Sequence, residues 1–176
     1  EQGGLRSDIE MNGEFGALDV DEGRGRTVFT GTDADKRARD YFVSRLEDAG
    51  LDVRIDAVGN IRGRWVPPSA DPSVAPIAVG SHLDSVAEGG IFDGPLGVYA
   101  ALEAVRAMRD AGAEPDRPGA VVSFTAAEGG SFGTGRLGSS VATSATALDD
   151  ALALSHAAGE SAGEAPALMR AGGRDD

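Results

Sequence analysis

Cysteine is absent from this 176-residue chain, which excludes disulfides and thiolate chemistry. Lysine is nearly absent: Lys36 stands alone, and the other fifteen of the 16 basic residues are arginine. Histidine occurs twice, at His82 and His156, and aromatic residues make up only 5%. No apolar run approaches the ~20 residues needed to span a bilayer. The first residues show no basic stretch followed by an apolar run, so a cytoplasmic location is expected. Acid is what the chain has in excess, with 29 Asp and Glu and a net charge of -13. Such a surface repels nucleic-acid phosphates and anionic lipid, so neither is an expected partner. An acidic, lysine-poor, alanine- and glycine-rich composition reads as halophilic, with concentrated salt screening the self-repulsion. A GC-rich genome favours the same residues, and composition leaves both readings open.

At 41% hydrophobic residues the chain can bury one sizeable core. "TDADKRARDYFVSRLEDAGL", from Thr32, spaces Ala38, Tyr41, Phe42, Arg45, Leu46 and Ala49 as a helix. Thr32 or Asp33 caps its start and Gly50 stops it. "LDVRIDAV" alternates as a half-buried strand, "GN" at 59 and 60 makes a turn, and "IRGRWV" is the partner strand. Residues 66–76 form a proline-rich loop, and "IAVGSH" reads as a short buried strand. Residues 94–112 form a helix with Pro95 in its first turn and Gly112 at its end. Its apolar residues run nearly all round, which predicts thorough burial. "GAVVSFTA" is a further buried strand, 129–140 a glycine-rich segment, and "ALDDALALSHAAG" a last helix. Residues 159–176 read as a loose tail. Alternating helices and apolar strands predict an α/β layer fold.

The stretch "AVGSHLDSVAEGGIFDGPLG", residues 78–97, carries the chemistry. Residues two apart in a strand share a side, so His82 and Asp84 sit together at the C-terminal end of a strand. Open α/β sheets place their sites there. A metal-binding imidazole usually gives its other nitrogen to a carboxylate, a role open to Asp84 if the chain bends after Leu83. The plain alternative is a core histidine beside a helix-capping aspartate. Asp93 brings back a carboxylate between glycines, either as a ligand or as the N-cap of the next helix. Glu128 follows directly on another strand end. One imidazole and two carboxylates make a metal cluster, and three independent loop residues are the alternative.

"GTGRLG", 133–138, matches the dinucleotide fingerprint. That mechanism requires a strand immediately before it and a helix opening from it. Here "EGGSF" intervenes and residues of poor helix propensity follow, so the match carries no expectation. His156 is expected on the surface of the last helix.

"GSHLDSVAEGGIFDGPLGV", "VVSFTAAEGGSFG" and "LGSSVA" together resemble the M20-type amidohydrolases. That group includes N-carbamoyl-L-amino-acid hydrolases, beta-ureidopropionases and allantoate amidohydrolases. The resemblance implies an α/β, zinc-exopeptidase-like layered sheet with helices on both faces. It implies two divalent metal ions, zinc or else manganese, cobalt or nickel. His82 would bind one ion, Asp93 would bridge both, Glu128 would bind the other, and Asp84 would orient His82. The reaction implied is hydrolysis of a linear amide or carbamoyl C–N bond in a small N-carbamoyl or ureido substrate. The chain departs from the family in two places: Ala127 stands where the family has the glutamate base, and Ser131 where it has arginine. Family members are also much longer. Residues 1–176 are therefore expected to be the amino-terminal part of the catalytic domain, truncated before the lid and dimerisation domain. A further histidine for each metal would lie in the missing part. The chain alone is then expected to be inactive, a remnant or a fragment that oligomerises or complements another chain. "HLD" alone would also permit an aminopeptidase or deacylase.

Overall fold

The computed structural model describes residues 2–19 and 24–154. Four strands form the central sheet in the order β2 (Asp52–Ile55), β3 (Ile61–Trp65), β6 (Gly119–Phe124), β4 (Ile77–His82). The first three are antiparallel neighbours, and β4 runs parallel to β6. A parallel pair needs a crossover, which α3 (Pro95–Asp110) supplies. A separate two-stranded ribbon pairs β1 (Gly25–Arg26) with β5 (Gly89–Gly90).

Helix α2 (Asp33–Asp48) starts at Thr32, whose Oγ1 accepts from the Asp35 amide at 3.3 Å. It buries Ala38, Phe42, Val43 and Leu46. Gly63 lets it lie close to the sheet: a Cβ there would come within 2.7 Å of Leu46. Helices α2 and α3 meet the sheet over Val53, Ile55, Ile61, Trp65 and Val121, which join Phe42, Leu46, Val98, Tyr99 and Leu102 in the main core. Burying side chains of this size is worth roughly 2 kcal/mol each. A smaller cluster gathers Val58, Ala126, Phe132, Leu137 and Ala151 beyond the end of β6.

Several sequence expectations change. β4 is not a buried strand: it is the last strand of the sheet, and Ile77 and Val79 stay 59% and 57% exposed. Its apolar run says what it can pack on, and its place at the edge decides how much it does. α3 buries one face, through Val98, Tyr99, Ala101, Leu102 and Val105, and leaves Leu96 and Met108 exposed. Two helices were not expected. α1 (Gln2–Gly13) packs on α3. α4 (Leu137–Ala142) opens inside the glycine-rich segment. The last helix, α5, covers Leu148–Leu152. The predicted continuation through His156, and the tail 159–176, lie outside the described residues. No helix among the described residues is long and apolar enough to cross a membrane.

Candidate metal centre

His82 is the last residue of β4, in register with Phe124 at the end of β6. Parallel neighbours end on the same side, so the loops after both strands meet over one sheet edge. The backbone turns sharply after β6: Ala126 is buried yet has φ +51°, in the left-handed region that costs a non-glycine residue roughly 1 kcal/mol. That turn aims two successive amides at Asp84. Ala127 N donates to Asp84 Oδ1 at 3.1 Å, and Glu128 N to Oδ2 at 3.0 Å.

Within the site, His82 Nδ1 lies 2.9 Å from the Asp84 main-chain oxygen. The carboxylate oxygen is farther, at 3.6 Å. A carbonyl only accepts, so the ring proton sits on Nδ1 and Nε2 presents its lone pair outward. Nε2 faces Glu128 Oε1 at 3.4 Å and Asp93 Oδ1 at 3.9 Å. One donor atom from each of His82, Asp93 and Glu128 lies within 4.8 Å of the others. Two ligands on one tetrahedral ion, each ~2.1 Å from it, are separated by about 3.4 Å. The observed spacing therefore suits a shared cation with small side-chain adjustments.

Electrostatics follow from burial and pairing. Burial alone would push Asp84 up, but the His82 ring and the two amides outweigh it and hold the carboxyl below its ordinary range. Burial alone would push His82 down, and the Asp84 contacts together with the Glu128 charge raise it instead. Asp93 does not cap the next helix: Gly94 is the N-cap, with no side-chain bond, and the Asp93 side chain is 71% exposed. Gly94 itself is required. Its φ is +85°, and a Cβ would fall 2.6 Å from the His82 ring.

Ala127 lies beside these groups with only a methyl side chain, and its amide is committed to Asp84. Ser131 is buried, and its Oγ accepts from Thr30 N at 2.8 Å. The glycine-rich segment returns to brace the strand end: the amides of Arg136, Leu137 and Gly138 donate to the carbonyls of Ala127, Ala126 and Thr125. Two contributors escaped the sequence reading. Asn60, read only as part of a turn, accepts from Thr125 N and donates to Gly138 O. Arg26 is fully buried and donates to Leu83 O, between the two site residues. No local spacing signals either, because their partners lie 57 to 78 positions away. "GTGRLG" is not a nucleotide loop of the expected kind: β6 ends at Phe124, and α4 begins inside the motif, at Leu137.

The family model that matches is peptidase family M28, over residues 60–156. It carries a different label from the M20 type suggested by the motifs, while the relatives matched include the carbamoylases that the motifs suggested. An N-carbamoyl-L-amino acid amidohydrolase of Geobacillus stearothermophilus is 41% identical over 152 residues, 86% of this chain and 36% of the relative. A ureidoglycolate hydrolase of Arabidopsis thaliana is 36% identical over 145 residues, 82% of this chain and 30% of the relative. A crystal structure of a hydantoinase/carbamoylase family amidase from Burkholderia ambifaria superposes with a TM-score of 0.91 at 40% identity, over 98% of this chain and 41% of that one. The chain thus spans about a third of the length of the curated relatives it matches. Matched by that model over more than half its length, the chain belongs to peptidase family M28, and over most of its length it is similar to amidohydrolases.

Proposed function

We propose that this chain supplies part of a metal-dependent active site for hydrolysing a linear amide or carbamoyl C–N bond. One observation carries the reading: His82 Nε2, with its ring fixed through Nδ1, faces carboxylate oxygens of Glu128 and Asp93 at 3.4 and 3.9 Å. The donor set, one imidazole and two carboxylates, suits zinc, manganese, cobalt or nickel. His82, Asp93 and Glu128 would hold the metal, and Asp93 would be shared if two ions bind. A divalent ion held there polarises a carbonyl and lowers the pKa of water. The chain's own residues do the rest. Asp84 holds His82 in the tautomer that leaves Nε2 free, and its carboxylate fixes the successive amides of Ala127 and Glu128. The names of the relatives point to N-carbamoyl amino acids or ureido acids as the substrate class.

The same geometry argues that the chain by itself turns over slowly or not at all. A methyl at Ala127 accepts no proton, and a general base is typically worth about 100- to 10,000-fold. Among the described residues one imidazole faces the two carboxylates, where catalytic zinc usually takes three protein ligands for each ion. In this reading the chain acts with further polypeptide, in the same protein or from another copy. Zinc titration by calorimetry tests the site: His82→Ala should abolish the binding isotherm. An unchanged isotherm, or none in the unsubstituted chain, sinks the metal reading. Ammonia release from an N-carbamoyl amino acid tests the rest. Turnover by the unsubstituted chain, lost in His82→Ala, would show that it needs neither the base nor a partner.

A further inference from the structure

Behind the site sits a charge that the chemistry above leaves unused. The Arg26 side chain is the largest fully buried one among the described residues. Its Nη2 donates to the Leu83 carbonyl at 2.8 Å, while Nε and Nη1 have no hydrogen-bond partner among the described residues. Asp84, Asp93 and Asp35 act on it only through their charge, and no carboxylate among the described residues pairs with it directly. A buried, half-satisfied guanidinium is a costly way to fill a core that methionine or leucine would fill more cheaply. The bond it does make therefore calls for an explanation.

That bond lands on the peptide leading into Asp84. Leu83 C=O belongs to the Leu83–Asp84 peptide, immediately after His82. The same stretch is tied again one step on: Val28 N donates to Ser85 Oγ and Ser85 N to Val28 O, both at 2.9 Å. Residues 26–28 thus form a splint along 83–85. If the 83–84 peptide rotated, Asp84 would lose both of its tasks at once. Its main-chain oxygen would leave His82 Nδ1, and its carboxylate would leave the amides of Ala127 and Glu128. Van der Waals packing of Leu83, itself buried, limits where the side chain goes but does not orient the carbonyl. A charged donor does.

We infer that Arg26 is a positioning residue of the proposed metal centre. Its hydrogen bond to Leu83 O sets the peptide leading into Asp84, and so orients Asp84, whose own carbonyl keeps the proton of His82 on Nδ1 and Nε2 turned toward the ion. This rests on the metal reading above, and the test separates the two. The chain has only two histidines, so ¹⁵N-histidine labelling gives two ring signals, and His82→Ala assigns them. In alkaline buffer, where imidazole is neutral, the wild-type His82 ring should show the Nδ1–H tautomer. Arg26→Met, which keeps the bulk and removes the donor, should give a mixture of tautomers. Zinc affinity by calorimetry should fall about tenfold or more, the usual size for loss of support behind a ligand. Arg26→Lys keeps the charge and one donor without the planar fork, and should move both readouts the same way by a smaller factor. It carries the test if the methionine variant does not fold. Val105→Ala, in the core of α3, lowers stability away from the site and should leave the His82 ring signal unmoved.

Two results overturn the inference. One is a folded Arg26 variant with the wild-type tautomer and affinity. The other is a Val105→Ala spectrum shifted as far as that of the Arg26 variant, which would reduce Arg26 to generic packing. If the wild-type chain takes up no zinc, the metal reading fails, and the tautomer alone then decides whether Arg26 sets the ring.

Discussion

Asp84 and Asp93 stand nine positions apart and illustrate two ways of placing a carboxylate. Asp84 is buried, accepts two amides from across the sheet edge and lends its main-chain oxygen to His82. Asp93 is 71% exposed, just ahead of α3, and among the described residues its polar contact is with His82 Nε2 at 3.9 Å. The contrast extends to their surroundings. The 82–85 and 125–128 segments are laced to one another and to residues 26–28 and 60. The lesson is that half of this site is built by folding, and half is open, left in the proposed reading for a metal ion to complete. The fixed half contributes to stability whether or not an ion is bound. The open half should contribute to affinity alone.

Paired substitutions test that division most severely. Asp84→Ala leaves the amides of Ala127 and Glu128 without their acceptor in a buried setting, and should cost about 3 kcal/mol of folding stability. Asp93→Ala should change stability by less than about 0.5 kcal/mol, as an exposed substitution does, while weakening zinc binding at least tenfold. Urea unfolding of the metal-free variants measures the first pair of numbers, and calorimetry the second. Equal stability losses would erase the distinction between the two halves.

Gly94 is the hinge between the halves, and a single methyl probes it. Gly94→Ala places a non-glycine residue at φ +85° and a Cβ 2.6 Å from the His82 ring. Strain and displacement together should cost about 2 kcal/mol, and the ring should move away from the carboxylates. The measurement is the same urea titration, joined to the chemical shift of the His82 ring. A variant as stable as the wild type, with an unshifted ring, would mean that the loop yields freely and no hinge exists.

The open half of the site was the more legible in the sequence. The grouping of His82, Asp93 and Glu128 as ligands came from the family resemblance. They could be named as candidates because each lies at or near a strand end or just ahead of a helix, where short-range pattern is informative. The α2, α3, β2, β3 and β6 segments were legible for the same reason. What escaped depended on contacts distant in the chain. Asp84 could be placed beside His82, but its grip on residues 127 and 128 spans more than 40 positions. Arg26 and Asn60 gave no local sign of burial. Helix α1 carries Gly3 and Gly4 in its first turn and has only a weak apolar face, so its stability comes from packing on α3. "IAVGSH" has the pattern of a buried strand, and nothing within six residues reveals that it ends the sheet.

Acidity sharpens the comparison from the side of the fixed half. The folded value of Asp84 is depressed, so its contribution is present above the ordinary carboxylate range, near 3.9, and is lost as pH falls through the folded value. The folded value of His82 is raised, so its contribution is full below ~6.5 and is lost as pH rises through the folded value. These are two views of one set of contacts and are not added together. The stability gap between wild type and Asp84→Ala should therefore be widest in mildly acidic buffer and narrower at pH 9. Unfolding curves at pH 5.5, 7 and 9 measure it. A gap that widens toward pH 9 would contradict the direction of both shifts.

Salt should produce the smallest effect, and it separates what is buried from what is merely charged. The chain carries -13, and much of that charge lies on exposed groups such as Glu14, Asp48, Asp52 and Asp93. Their mutual repulsion opposes folding and is screened over ~10 Å at 0.1 M salt and ~3 Å at 1 M. Raising potassium chloride from dilute buffer to 2 M should lift the melting temperature by roughly 2 to 4 °C, on the order of 1 kcal/mol for a domain this size. The bonds of Asp84 are short, buried and largely out of reach of ions. Wild type and Asp84→Ala should therefore gain equally, with the gap between them unchanged to within a few tenths of a kcal/mol. Parallel thermal melts across the salt series measure both quantities. A melting temperature indifferent to salt would remove the argument that surface acidity is tuned to concentrated salt. A gap that closes as salt rises would show that Asp84 is held by long-range charge, and that the two halves of the site are built alike.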